Sequence, residues 1–145
     1  ELYREHNDAF KVQINRCARV HGNLVVLDMR NEDTIYAGNR FLIYAMHPEC
    51  TISMHVLWGL KQQNTVFTIG KSIFNRSSSL DIGSLCLEYG GGGHENAGTC
   101  QVANEIAERA QAELTDRITE FDIRSCTNLN AEMNSALQIG AIQAR

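Results

Sequence analysis

LDIGSLCLEYGGGGHENAGTCQVA, residues Leu80 to Ala103, places a helical pattern, four consecutive glycines and a β-rich run in direct succession. Ile82, Leu85 and Tyr89 form the apolar side of an amphipathic helix over Asp81 to Tyr89, and Thr99 to Ala103 reads as a short strand. Downstream, Asn104 is placed to cap a longer helix. Ile106, Ala110, Leu114 and Ile118 recur every four residues along it, which predicts a core-facing stripe, and Glu113 is spaced to pair with Arg117. Upstream, Thr51 to Leu57 alternates Ile52, Met54 and Val56 against Ser53 and His55, the period of a half-buried strand. Thr65 to Ile73 is also β-rich, and the polar stretch Gly59 to Asn64 joins the two as a hairpin. Further out, Asn23 to Met29 reads as a buried strand, Asp33 to Asn39 as turn residues, and Arg40 to Met46 as a short helix ended by Pro48. Strands alternate with helices. The expected fold is therefore α/β, a single compact domain whose mixed sheet has four to five strands and flanking helices, the hairpin making it not wholly parallel.

The ends carry weaker patterns. Glu1 to Arg19 is compatible with a helix, although Phe10, Val12 and Ile14 alternate as in a strand, and Gly22 is placed to turn a hairpin into the strand from Asn23. After Phe121 the composition becomes polar and small, with a helical pattern from Ala131 to Leu137.

Gly90, Gly91, Gly92 and Gly93 invite a ligand-contact reading. Without Cβ atoms the backbone reaches positive φ and lets several N–H groups converge on an oxyanion. One left-handed glycine at Gly90 would cap the preceding helix, but three more would add unfolded-chain entropy without need. His94 adds a donor able to carry charge near neutral pH. Neither G-x-G-x-x-G nor G-K-[ST] is present, so the loop is neither a dinucleotide fingerprint nor a Walker loop. The preceding helix end points carbonyls at the loop, so an anion there must rely on loop amides, His94 and nearby cations.

Gly90 to Gly98 resembles the GGGH-x-x-A-G signature of the DHH-associated domain, the C-terminal half of DHH-family phosphoesterases. Ser72-Ile73-Phe74-Asn75-Arg76-Ser77-Ser78 resembles that family's S-x-R-S element. The resemblance spans Asn23 to Glu120, with both motifs in the family's order. Asn96 stands where many relatives have a small apolar residue. The resemblance implies a domain that contacts the substrate, a phosphorylated species such as short RNA, single-stranded DNA, a nucleotide or polyphosphate. It also implies two divalent metal ions (Mn or Mg) held by a separate N-terminal catalytic domain. The chain contains neither D-H-H nor D-x-D, and no clustered Asp, His or Cys set at ligand spacing, so no metal site is expected here and catalysis by the chain alone is not expected. Its start at Glu1 fits an excised domain. The implied organisation is a connection from the catalytic domain over residues 1–22, the DHH-associated domain over 23–121, and a tail over 122–145.

Composition fits one globular domain, at 43% hydrophobic and 21% charged over 145 residues. No apolar run approaches the roughly 18 to 20 residues that span a bilayer, and no basic, then apolar, leader opens the chain. Cys17, Cys50, Cys86, Cys100 and Cys126 are odd in number and widely spaced, which argues against a disulfide framework or a zinc site and for reduced thiols in a cytoplasmic compartment. A net charge of −4 argues against coating duplex DNA but leaves room for one or two phosphates held by local cations.

The candidate ligand contacts are Lys71, Arg76, Ser77, Gly90 to Gly93, His94 and Asn96. Arg76 is favoured for phosphate contact on the strength of the resemblance, against a plain solvated arginine. Ser77 is either a second donor or a turn residue, and Lys71 is secondary. His94 would bond a phosphate oxygen and, if protonated, neutralise charge developing in phosphoryl transfer, the one catalytic role assigned within these residues. His47 and His55 read as structural, and Trp58 as an edge-of-core residue ahead of a base-stacking one. The expected function is a substrate-binding domain of an RNA-degrading or exopolyphosphatase-related hydrolase, partnered by its own catalytic domain. The alternative is an assembly module whose glycine loop packs on a partner domain or contributes to a homodimer, with no ligand of its own.

Overall fold

β-Branched and long aliphatic residues concentrate in Leu24–Asp28 (β2), Ile52–Trp58 (β3) and Asn64–Lys71 (β4), and these form the middle of the sheet. The computed structural model describes residues 2–36, 41–73 and 77–121. Before β2 come α1 (Leu2–Cys17) and β1 (Ala18–His21), and α2 (Leu42–Met46) lies between β2 and β3. After β4 come α3 (Ile82–Leu87), β5 (Gly92–Gly93) and β6 (Ala97–Ala103), then a 3₁₀ turn and a helix, α4, over residues 107–121.

The strands form one six-stranded sheet in the order β1-β2-β3-β4-β6-β5. β2 and β3 are parallel; the other neighbours are antiparallel. The architecture is the expected mixed α/β domain, but the sheet has six strands rather than four or five. β5 has no counterpart among the sequence expectations, and β1 is the strand that a hairpin at Gly22 calls for. The alternation of Phe10, Val12 and Ile14 is a helical face instead: Phe10 and Ile14 are buried while Val12 is 61% exposed, as expected for residues spaced i, i+4 on α1. Gly22, at φ +59°, does turn β1 into β2.

Two cores flank the sheet. On one face, Val26, Met54, Val56, Phe67, Ile69 and Cys100 pack against Ile82 and Leu85 of α3 and Ala110, Leu114 and Ile118 of α4. On the other, Val25 and Leu27 pack against Phe10 and Ile14 of α1 and Ile43 and Tyr44 of α2. Fully buried Gln13 fixes the segment after β2 to α1: its amide nitrogen donates to Glu32 Oε1 and the Thr34 carbonyl, and its oxygen accepts from Tyr36 N. This second layer stops short of the far strands. Ala97, Thr99, Gln101 and Ala103 of β6 are all exposed while the residues between them are buried.

Three local expectations are corrected. Asn104 does not cap a helix; its side chain accepts from Thr65 Oγ1 at 2.9 Å and donates to the Gln62 carbonyl at 2.8 Å, tying β4 to the turn before it. Ile106 lies in the 3₁₀ turn, 39% exposed, and Ala107 takes its place in the buried stripe. Glu113 faces Arg109 and accepts from Tyr89 Oη at 2.9 Å, while Arg117 bridges to Glu88 at 2.5 Å. The long helical pattern continues into a polar seam joining α3 to α4. The proposed helix at 131–137, the tail from 122, Cys126 and Arg40 lie outside the described residues. No helix among the described residues is long and apolar enough to cross a membrane.

Candidate functional site

The glycine loop is anchored at both ends by its own backbone. Gly90 adopts φ +83° and donates to the Leu87 carbonyl, and Gly91 N reaches the Cys86 carbonyl, so this end closes α3 as a left-handed cap does. Beyond it the loop becomes half of a tight hairpin, Gly92 opposite Thr99 and Gly93 opposite Gly98. A Cβ on Gly91 would stand 2.0 Å from the Thr99 carbonyl oxygen, and one on Gly93 2.3 Å from that of Ala97. Three of the four glycines thus have packing or conformational reasons internal to the chain. Gly92 does not: a Cβ there would meet nothing within 4 Å.

The loop also consumes the helix N-terminus next to it. Ile82 N donates to the Glu95 carbonyl, Gly83 N to the His94 carbonyl, and Ser84 N to Asp81 Oδ1. These amides are therefore committed to the loop and cap. His94 N donates to the Ala97 carbonyl at 2.7 Å, leaving the residue itself exposed.

At the far end of the loop, β4 and β6 bring two candidates together. Lys71 N donates to the Asn96 carbonyl at 2.9 Å, next to the Gly70–Ala97 pair. Lys71 and Asn96 line a small recess of about 190 Å³ together with Ser72, Ile73, Ser78 and Glu95. Ser77 is exposed just beyond it. Arg76, with Phe74 and Asn75, lies outside the described residues.

Lys71, Ile73 and Asn96 also border a larger cleft of about 440 Å³ on the uncovered face of the sheet. Its floor is Ser53, His55, Thr68, Gly70 and Ala97, and Phe41 and Tyr44 close one side. The pairing of Ser53 with Gly70 and of His55 with Thr68 puts these residues side by side. Tyr44 Oη lies 3.1 Å from the Gly70 carbonyl and 2.7 Å from Ser53 Oγ. A phenol has one proton, so if it goes to the carbonyl, Ser53 donates to the phenol oxygen. Burial pushes the Tyr44 hydroxyl up and the His55 imidazole down, favouring the neutral form of the ring. Sequence reading treats His55 as structural. Its alternation with Met54 and Val56 does place it on the opposite face from those two, but the pairing with Thr68 and the cleft it shares with Phe41 and Tyr44 appear only in the fold.

A further recess of about 370 Å³ beside β1 is lined by Arg16, Arg19, His21, Asp28 and Glu32 among others. Its arginines are already engaged, Arg16 with Glu32 and Arg19 with the Arg16 and Ala18 carbonyls. Trp58 donates from Nε1 to the Arg30 carbonyl at 2.7 Å and is partly covered by the Arg30 guanidinium, a wedge at the end of β3. Among the described residues no three His, Cys, Asp or Glu side chains gather to hold a metal ion. Cys17, Cys50, Cys86 and Cys100 are free thiols, and burial pushes Cys50 up to about 11.

No family model matches the chain, and no curated protein does. Among solved structures it is similar to the pGpG-specific phosphodiesterase PggH of Vibrio cholerae, at 57% identity and a TM-score of 0.81 over 83% of this chain and 41% of that one. It is similar in fold to an exopolyphosphatase-related protein from Bacteroides fragilis, at 14% identity and a TM-score of 0.59 over 80% of this chain and 36% of that one. The chain thus spans less than half the length of either protein. The 57%-identical likeness is consistent with a DHH-family relationship, and the 14%-identical one shows the shared fold.

Proposed function

We propose that this chain is the substrate-gripping domain of a phosphodiesterase that acts on short nucleotides, holding their phosphates for a separate catalytic domain. The observation that carries the reading is the 57% identity, over 83% of the chain, to a pGpG-specific phosphodiesterase. The geometry supports it. A loop with one sterically open glycine, Gly92, ends at a recess where Lys71 offers a cation and Asn96 an amide. His94 stands exposed on the same loop, and Arg76 follows the recess in sequence.

In this reading residues 23–121 carry the grip, residues 1–22 lead in from the catalytic domain, and two divalent ions act there rather than here. The chain's contribution is positioning: a held phosphate turns the attack into an effectively intramolecular event, and donors aimed at it stabilise developing charge. Polyphosphate and longer single strands remain substrates of the same chemical class.

The test is a titration of the folded chain with a fluorescent 5′-phosphorylated diribonucleotide at low salt, beside Arg76→Ala and His94→Ala. Binding at least about tenfold weaker in each variant, equivalent to 1.4 kcal/mol, is the expected result. Unchanged binding in both would remove the grip from these residues. An intact chain that binds nothing but self-associates as concentration rises would instead favour the assembly module.

A further inference from the structure

We infer that the cleft over Ser53, His55, Thr68 and Ala97 is a nucleobase subsite, in which His55 and Thr68 meet the polar edge of the base while Phe41 and Ile73 flank its ring. This rests on the reading above, because it assumes a phosphate held at Lys71 and Asn96. Four observations carry it. The cleft, at about 440 Å³, falls in the range of sites that enclose a small ligand. It neighbours the smaller recess, with Lys71, Ile73 and Asn96 lining both, which suits a ligand whose base and phosphate lie side by side.

Its lining is divided as a planar heterocycle requires. Phe41 and Ile73 both line the cleft and expose 38% and 45% of their surface, which offers apolar contacts for a ring face. The polar groups lie on the floor. His55 and Thr68 are cross-strand neighbours, and Tyr44 and Ser53 are occupied with each other. A neutral imidazole offers one donor and one acceptor, which suits hydrogen bonding to a base edge better than gripping a phosphate. The burial that disfavours the charged imidazole acts in the same direction. Among the described residues that line the two recesses Lys71 carries the one positive charge, and it borders both, as a phosphate joined to a base in the cleft requires.

The test compares a 5′-phosphorylated diribonucleotide with an abasic sugar-phosphate dimer of equal charge, in competition for the chain and for His55→Ala and Thr68→Phe. Thr68 is exposed, so phenylalanine there fills the cleft without entering either core. The wild-type chain is expected to prefer the base-bearing ligand at least about tenfold. Either substitution should reduce that preference to near unity while leaving the abasic dimer's affinity unchanged. If His55→Ala fails to fold, Thr68→Phe decides alone. Equal binding of both ligands by the wild type, or a preference that survives in the folded variants, overturns the base subsite and leaves the phosphate grip standing. Binding of neither ligand removes the grip itself, and the subsite with it.

Discussion

Gly91 and Gly92 are neighbours with the same side chain and opposite reasons for it. Alanine at Gly91 would drive a Cβ to within 2.0 Å of the Thr99 carbonyl oxygen, and backbone cannot yield that much without opening the β5–β6 hairpin. Gly91→Ala is therefore expected to lose at least about 2 kcal/mol of unfolding free energy, read from urea midpoints. Gly92→Ala should stay within about 0.5 kcal/mol of the wild type while weakening the nucleotide titration, because the added methyl faces open space inside the protein and the ligand outside it. A stable Gly92→Ala that binds normally would leave that glycine without a role in the grip. Four glycines in the sequence mark a special loop but cannot be told apart there. What separates them is contact with β6, several residues downstream, which no local pattern encodes. Arg76 remains a residue known from its motif alone.

At the scale of elements, α3 and the glycine loop form one unit. Asp81 Oδ1 accepts from Ser84 N at 3.1 Å, while the two amides before it bond loop carbonyls. Removing the cap with Asp81→Ala should lower stability by about 1 kcal/mol, checked by chemical denaturation. It should also raise amide exchange at Gly83 and His94 ahead of that at Phe67, since the helix start and the loop share those bonds. Equal acceleration everywhere would mean that the unit opens only with the whole domain. The strands and α3 were legible because period-two and period-3.6 patterns are local physics. Asn104 misled because a residue type favoured at helix caps is equally good at joining strands. Here a buried threonine hydroxyl, Thr65, 39 residues away, claims its oxygen. The two outer strands carry little or no sequence signal of their own, for physical reasons as well, and only the turn at Gly22 points to β1. β1 is short and largely exposed, so it has no buried alternation, and β5 consists of two glycines, which carry no β signature at all.

Over the whole molecule, the mixed topology followed from the hairpin and the α/β alternation, but the uncovered face did not, because it depends on where α1 and α2 stop. Global stability also has a traceable acid limit. Burial alone would raise the Asp28 carboxyl, but hydrogen bonds from the Arg30 side chain and backbone, with the guanidinium charge, hold it below the ordinary carboxylate range. A depressed folded-state value means that the pair's stabilisation is complete above the unfolded pKa of about 3.9 and is lost as pH falls through the folded one. Asp28→Asn should therefore be less stable than the wild type at pH 6, and the gap should shrink as urea midpoints are taken toward pH 3. A gap that stays constant would assign the loss to packing. Finally, the sheet has two outer strands, and each is poor material for recruiting another chain. β1 presents four residues, Arg19 and His21 among them, and β5 presents two glycines whose backbone is already bent into the hairpin. Open strand edges are templates for aggregation, and short or charged ones resist it. The glycine pair thus also guards solubility: variants that turn Gly92 and Gly93 into an ordinary, longer strand would offer neighbouring molecules a flat edge on which to stack.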